Sequence, residues 1–172
     1  MLIFEKKHDI ICRHTYILEG GILMVITFCG HSLFAKTDEY EQKMLAFFER
    51  VAGDDPVDFY LGGYGDFDAF AYHCCKKYQR NHPRASLIFV TPYISESYQK
   101  NHLSFQKDLY NAIVYPEIEG TPPRFAILAR NRWMVERADY VVCGIIYDWG
   151  GAYKTYQHAI CKNKPVFNIC TA

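Results

Sequence analysis

The segment from Arg130 to Thr155 constrains the fold of this chain more than any other. It reads as a charged helix, then an apolar strand at Tyr140–Ile146, then the pair Gly150-Gly151 at the start of a second helix. A buried strand followed by a glycine turn and a helix start is the repeating unit of a parallel α/β sheet. The first N–H groups of such a helix have no partner within it, so this turn predicts a pocket for an anion such as phosphate.

Apolar runs alternate with helical patterns along the rest of the chain. The other predicted strands are Val25–Cys29, Val57–Leu61, Ser86–Val90, Ala112–Tyr115 and Val166–Ile169. The predicted helices occupy residues 37–51, about 68–82, 125–137 and 153–162, and residues 94–111 read as a long loop with one helical turn. This alternation predicts an α/β, three-layer Rossmann-like fold, with a mainly parallel sheet of about five to seven strands and helices on both faces.

The composition is that of a globular protein and argues against several classes of function. Half of the 172 residues are apolar, and 19 basic side chains balance 19 acidic ones. A neutral chain lacks general attraction to phosphate backbones, which argues against a nucleic acid partner. No apolar run reaches the roughly 18 residues of a membrane span. The cysteines form no CxxC pair, and the cysteines and histidines show no metal-ligand spacing, so we expect a cytoplasmic protein with neither metal nor cofactor.

Residues 1–23 need a separate interpretation. They lack the apolar core of a signal peptide, and Glu19-Gly20-Gly21 can be encoded by a ribosome-binding sequence shortly before Met24. We therefore expect a non-native N-terminal extension, with translation starting at Met24 and a single domain over residues 24–172. The alternative is an added β-hairpin with arms at Ile10–Cys12 and Tyr16–Leu18.

Three glycine-containing turns are predicted at one edge of the sheet, beyond the carboxyl ends of the strands. They are Gly30-His31-Ser32, Gly62-Gly63-Tyr64-Gly65 and Gly150-Gly151. Doubly wound sheets bind their ligands at this edge, and glycine lets the backbone approach a phosphate closely, although it also simply makes tight turns. The spacing fits neither GxGxxG nor GxxxxGK[ST], so neither an ordinary dinucleotide site nor a P-loop is predicted.

Polar side chains near these turns supply candidate ligand contacts. Arg130, with Asn131 beside it, suits bidentate phosphate binding, although a helix this charged is often only a solvated face. Asp68 could hold a ribose hydroxyl or cap a helix, and for Asp66 the cap is the better interpretation. The histidines that could act as acids or bases, if they do more than pack, are His31 and His158.

At these residues the chain resembles the SLOG superfamily, the Rossmann-like group that includes the DprA/Smf proteins and the LOG cytokinin-activating enzymes. Within that group it is most similar to small bacterial proteins of the YpsA type. The resemblance covers most of residues 24–170 and rests on CGHS, YLGGYGDFDAFA, NRWMVERAD and VVCGIIYDWGGAYKT. It implies a nucleotide-derived ligand held by the last two glycine turns, and a homo-oligomer.

The LOG enzymes hydrolyse the N-glycosidic bond of a nucleoside 5′-phosphate, and this chain departs from their motifs. Their helix arginine corresponds to Arg130, but Asn131 replaces the usual lysine. In the motif PGGxGTxxE, Trp149 replaces the proline, one residue is inserted before Thr155, and His158 stands where the catalytic glutamate would be. A carboxylate normally stabilises the oxocarbenium-like transition state of glycosidic cleavage, so the departure weakens the prediction of catalysis.

We therefore expect a nucleotide-binding sensor or signalling protein. The alternatives are a nucleoside-5′-phosphate N-glycosidase or deoxyribosyltransferase-like enzyme, and a DprA-like single-stranded DNA binder. The weak catalytic candidates are Asp68, Glu136 and His158. The expected ligand-binding residues are Gly30, His31, Ser32, Gly62, Gly63, Gly65, Asp68, Arg130, Asn131, Gly150, Gly151, Lys154 and Thr155.

Overall fold

The computed structural model describes residues 2–4, 23–93, 95–98, 102–103 and 106–171, which form three layers. The strands are β1 at Leu2–Phe4, β2 at Met24–Gly30, β3 at Val57–Leu61, β4 at Ala85–Val90, β5 at Ala112–Tyr115, β6 at Tyr140–Gly144 and β7 at Val166–Asn168. The long helices within these ranges are α1 at Asp38–Val51, α2 at Asp66–Gln79, α3 at Ala126–Arg137 and α4 at Gly150–Cys161. Short helical turns occur at Glu96–Tyr98 and Pro123–Phe125.

The strand order reverses in the middle of the sheet. The order is β1-β5-β4-β3-β2-β6-β7, with every neighbouring pair parallel except the antiparallel pair of β1 and β5. From β2 the chain builds outward to β5, and it then returns to place β6 on the other side of β2. This reversal leaves a crevice between the carboxyl ends of β2 and β6, where open α/β sheets bind ligands.

Helices cover both faces of the sheet. Along β3, Phe59 and Leu61 pack into the cluster that contains the buried side chains of α1 and α2, whereas Tyr60 packs on the opposite face with Met134 of α3. Val135 of α3 and Ala159 of α4 share a further cluster. The predicted Rossmann-like fold is confirmed, because both faces of a mainly parallel sheet are buried under helices.

Most predicted elements match the structure, and β3 and β5 match residue for residue. Two boundaries near the crevice differ. The strand β6 ends at Gly144 rather than Ile146, because the backbone N–H of Ile145 donates to Asn168 Oδ1 and leaves the sheet. The helix α4 begins at Gly150 rather than Tyr153, so Gly150-Gly151 is its first turn and not a turn ahead of it. The two hairpin arms predicted between residues 10 and 18 lie outside the described residues.

Phe67 packs the start of α2 against the ends of β2 and β6. Its ring is fully buried and occupies the space that side chains at Gly30 and Gly144 would need. These two glycines are register partners in the parallel pair of β2 and β6. The absence of side chains there therefore sets how closely α2 approaches the crevice.

We expect Gly144→Ala to lower the free energy of unfolding by about 1–3 kcal/mol, the usual cost of overpacking a core. The added methyl group would overlap the Phe67 ring. Gly120→Ala is the matched control, because a Cβ there meets nothing within 4 Å. Urea unfolding compares the two variants, and equal midpoints would contradict the packing role of Gly144.

Candidate functional site

A cleft of about 210 Å³ lies at the reversal of strand order. Its walls come from the ends of β2, the loop after β6, the helix α3 and the first turns of α2 and α4. Several residues expected from the sequence line it, namely Gly30, His31, Ser32, Asp68, Arg130, Asn131, Gly150 and Gly151. Turns that are far apart in the chain therefore do converge on one crevice.

The first turn of α4 faces the cleft with its N–H groups uncapped. The N-cap residue, Trp149, makes no side-chain capping bond, and the first turn carries no acidic residue. Gly150 has a φ of +88°, which favours glycine. A Cβ at Gly150 or Gly151 would meet no atom within 4 Å, so the space beside this turn is open. The unpaired N–H groups and the helix dipole make it a site for an anion.

The first turn of α2 differs because it carries two carboxylates of its own, those of Asp66 and Asp68. Asp68 Oδ2 accepts a hydrogen bond from the N–H of Tyr64 at 2.8 Å, and Asp66 Oδ2 accepts one from Phe34 at 3.3 Å. Gly65 is the N-cap residue. The prediction that Asp66 caps the helix is therefore wrong. Its carboxylate instead accepts a hydrogen bond from the loop after β2.

The glycines of the turn at residues 62–65 make room for other protein groups. A Cβ at Gly62 would overlap the Arg130 guanidinium. At Gly63 a Cβ would lie 2.7 Å from the Phe89 ring, and at Gly65 it would lie 2.7 Å from Ser32 Cα. The space beside these glycines is therefore already filled, and their contact with a ligand stays a prediction.

Arg130 brings a buried positive charge to the cleft. The residue is 2% exposed, and its Nη1 donates to the carbonyl oxygens of Gly62 at 2.6 Å and Val90 at 2.9 Å. Its Nε is a buried nitrogen that has no hydrogen-bond partner among the described residues. Burial lowers the pKa of Arg130, and the Asp68 carboxylate opposes that shift. An arginine still keeps its charge near neutral pH, so the cleft favours an anionic ligand.

Asn131 and Thr155 join α3 to the first turn of α4. Asn131 Nδ2 donates to Thr155 Oγ1 at 3.3 Å, and the Thr155 hydroxyl donates to the carbonyl oxygen of Gly151 at 3.0 Å. Thr155 is 1% exposed, whereas Lys154 beside it is exposed. Asn131 and Thr155 therefore hold the glycine turn in place. Direct ligand contact by Lys154 or Thr155 stays a prediction.

Aromatic rings form one side of the cleft. The buried His31 ring stacks on Tyr147 at 3.5 Å between centroids, and Tyr147 stacks on Trp149 at 4.4 Å. Trp149 is 66% exposed and Tyr64 is 65% exposed, and both line the cleft. Sequence reasoning did not include Tyr64, Tyr147 or Trp149 among the site residues. The signal that could have found them is their position inside or directly before the glycine turns.

The three catalytic candidates occupy different places. Asp68 lines the cleft, where burial raises the pKa of its carboxyl group against the opposing effects of Arg130 and the Tyr64 N–H. His158 Nε2 lies 3.1 Å from Glu136 Oε1, and Lys162 Nζ lies 3.6 Å from the same oxygen. Of the three candidates, Asp68 is the one whose carboxylate the structure brings to the cleft.

Comparison with protein-family models and with curated proteins finds no match. Solved structures of DNA processing protein A (DprA) do match. The protein from Helicobacter pylori aligns with a TM-score of 0.56 and 20% identity over 84% of this chain and 64% of that one. The protein from Streptococcus pneumoniae aligns with a TM-score of 0.58 and 14% identity over 85% of this chain and 50% of that one. This chain thus spans less than two thirds of either relative.

These matches support a Rossmann-like fold similar to that of DprA, while membership of the SLOG superfamily and of its YpsA-type branch stays a prediction. They also overturn one expectation, since the argument against a nucleic acid partner is wrong. The Helicobacter pylori protein with this fold has a single-stranded DNA binding mode. Net charge is summed over the whole chain and does not describe the charge within one cleft, which Arg130 lines here. Separately, within the described residues no helix combines the length and apolarity that crossing a membrane requires.

We expect Asp68→Asn to unfold at higher urea than the parent protein at pH 7. Because burial raises the pKa of Asp68 in the folded state, its ionised form costs stability at neutral pH. That cost disappears as the pH falls through the raised pKa toward the ordinary value near 4. Urea midpoints at pH 7, 5.5 and 4 check this, with Asp66→Asn as the neighbouring control. A deficit in Asp68→Asn that grows with pH would contradict it.

Proposed function

We propose that this chain binds single-stranded nucleic acid through the cleft between β2 and β6. One observation carries the proposal: the uncapped start of α4 and the buried guanidinium of Arg130, with its unpartnered Nε, converge on a cleft edged by exposed aromatic rings. A backbone phosphate and a neighbouring base are the two chemical groups that such a site accommodates together.

The phosphate would lie at the first turn of α4. The N–H groups of Gly150, Gly151 and Ala152 belong to this turn, and all three residues line the cleft. Arg130 lines the same cleft and supplies a charge that water screens weakly, because the residue is 2% exposed. Backbone N–H groups and a helix start read phosphate without reading sequence.

The bases would stack on the exposed rings. Trp149 directly precedes the first turn of α4. Its ring stacks on that of Tyr147, and the Tyr147 ring stacks on that of His31. A ring supported from behind offers its outer face at little cost in conformational freedom. Stacking on such rings tolerates any base and contributes about 1–3 kcal/mol per base. The similarity in fold to DprA, one of whose members binds single-stranded DNA, supports the same assignment.

A second candidate is the binding of a free nucleotide, as expected from the sequence. The observation that favours it is the position of the cleft at the reversal of strand order, where open α/β sheets bind ligands. The cleft volume of about 210 Å³ is below the roughly 300 Å³ at which pockets for drug-sized ligands begin, so the cleft does not enclose a whole nucleotide. A site of this size receives part of one nucleotide. Glycosidic hydrolysis there would require Asp68 as the carboxylate, since Glu136 pairs with His158 and Lys162.

We expect Ala152→Glu to weaken binding of a fluorescein-labelled oligothymidylate at least about tenfold. A glutamate at the third helical position returns to cap the helix and places negative charge where the phosphate would lie. The same charge favours the helix, so thermal stability should not fall. Ala152→Gln is the matched control of similar shape, and fluorescence anisotropy should place it near the parent. Equal affinities for the glutamate and glutamine variants would contradict the phosphate assignment.

We expect Trp149→Ala to weaken the same complex about 5-fold to 150-fold, the loss that corresponds to one stacked base. Ile160→Ala is the control, because Ile160 is an exposed apolar side chain near the other end of α4. Parallel thermal-shift measurements with nucleoside monophosphates separate the two candidates. Binding of a monophosphate without the oligonucleotide would favour the second candidate, and release of free base would identify an enzyme.

A further inference from the structure

We infer that His31 is a positioning residue for this cleft, and that protonation of its ring releases the loop which carries Trp149. The carrying observation is that two consecutive backbone N–H groups of that loop converge on one imidazole nitrogen. The inference rests on the proposed function only for its effect on nucleic acid binding. The effect on the loop itself is measured without any ligand.

The geometry fixes the protonation state of the ring. Nε2 of His31 lies 3.2 Å from the backbone nitrogen of Ile146 and 3.4 Å from that of Tyr147. Both backbone groups are donors, so Nε2 must be the acceptor. A neutral histidine with an acceptor at Nε2 carries its proton on Nδ1. The neutral His31 ring therefore accepts hydrogen bonds from the loop and holds it in place.

The fastened loop connects β6 to the anion site. It runs from residue 145 to residue 149, and its first residue is already held by Asn168, whose side chain binds both the N–H and the carbonyl oxygen of Ile145. His31 holds the next two residues and also stacks on the Tyr147 ring. Trp149 follows as the N-cap of α4. Loss of the His31 acceptor would therefore free Tyr147 and the stacking ring of Trp149, while Thr155 still holds the turn at Gly151.

The direction of the pH effect follows from burial. His31 is 3% exposed, and this burial lowers the pKa of its ring against the smaller, opposing effect of a backbone hydrogen bond at Tyr147. In the released loop the ring regains its ordinary pKa near 6.5. The held loop is therefore fully favoured above about pH 6.5, and it is released progressively as the pH falls below that value. The other titratable or charged groups on the surrounding elements are Cys29, Tyr64, Asp66, Asp68, Arg130, Cys143, Tyr147 and Asp148.

Of these groups, Asp68 needs an explicit control, because its raised pKa moves its titration toward the same range. His31→Gln supplies that control. Its amide oxygen lies about as far from Cα as Nε2 does, and it accepts hydrogen bonds at every pH while Asp68 is unchanged. His31→Phe is the complementary variant, since it keeps a ring to stack on Tyr147 but offers no acceptor.

The first test uses nuclear magnetic resonance on the ligand-free protein with ¹⁵N-labelled histidine, and His31→Gln identifies the His31 signals. We expect Nε2 without a proton at pH 7.5 and a midpoint below 6.5, with the amide signals of Ile146 and Tyr147 moving at that same midpoint. In His31→Gln those amide signals should not respond over this range. A proton on Nε2, or amide signals indifferent to the His31 titration, would overturn the inference.

The second test measures affinity for oligothymidylate, whose bases do not titrate between pH 5.5 and 7.5. The parent should bind at least about fivefold more weakly at pH 5.5, as expected for the loss of hydrogen bonds of ordinary strength. His31→Gln should be nearly independent of pH, and His31→Phe should be weak at both values. A His31→Gln profile equal to that of the parent would assign the effect to Asp68 and overturn the inference. If the His31 titration has the expected midpoint but the protein does not bind oligothymidylate, His31 still holds the loop and the proposed ligand is rejected.

Discussion

The buried charge of Arg130 is the constraint on which both the sheet and the cleft depend. A guanidinium removed from water is tolerated only where hydrogen bonds replace the lost solvation. Nη1 achieves this by binding the carbonyl oxygens of Gly62 and Val90, just beyond β3 and at the end of β4. The lack of a side chain at Gly62 is what allows that approach. The Asp68 carboxylate interacts favourably with the charge, and Nε stays without a hydrogen-bond partner among the described residues.

The two glycine turns that look equivalent in the sequence behave differently, and the residues after each turn explain why. Asp66 and Asp68 follow the first turn, and their two negative charges at the start of α2 disfavour a further anion there. No acidic residue follows Gly150-Gly151 within the first turn of α4, so its N–H groups remain open to an anion. Under the proposed function, this turn and the buried arginine would let a chain with zero net charge bind a phosphate locally.

The sequence was sufficient for the fold because buried parallel strands leave continuous apolar runs that helices separate. It predicted β3 and β5 residue for residue. It missed the start of α4 because glycine is normally read as a break, whereas here Trp149 takes an extended conformation and the glycines enter the helix. It also missed Tyr64 and Trp149 at the site. Most aromatic side chains of such a chain belong to the core, and the tertiary structure decides which ones stay exposed.

A chemical-shift map of the backbone amides, recorded while a short oligothymidylate is added to ¹⁵N-labelled protein, addresses binding at the cleft most directly. We expect the largest saturable shifts at Gly150, Gly151 and Ala152, with the indole N–H of Trp149 moving in the same titration. Shifts concentrated instead on the groove between α1 and α2, around Phe70 and His73, would contradict the assignment of the cleft. The absence of any saturable shift would contradict nucleic acid binding itself.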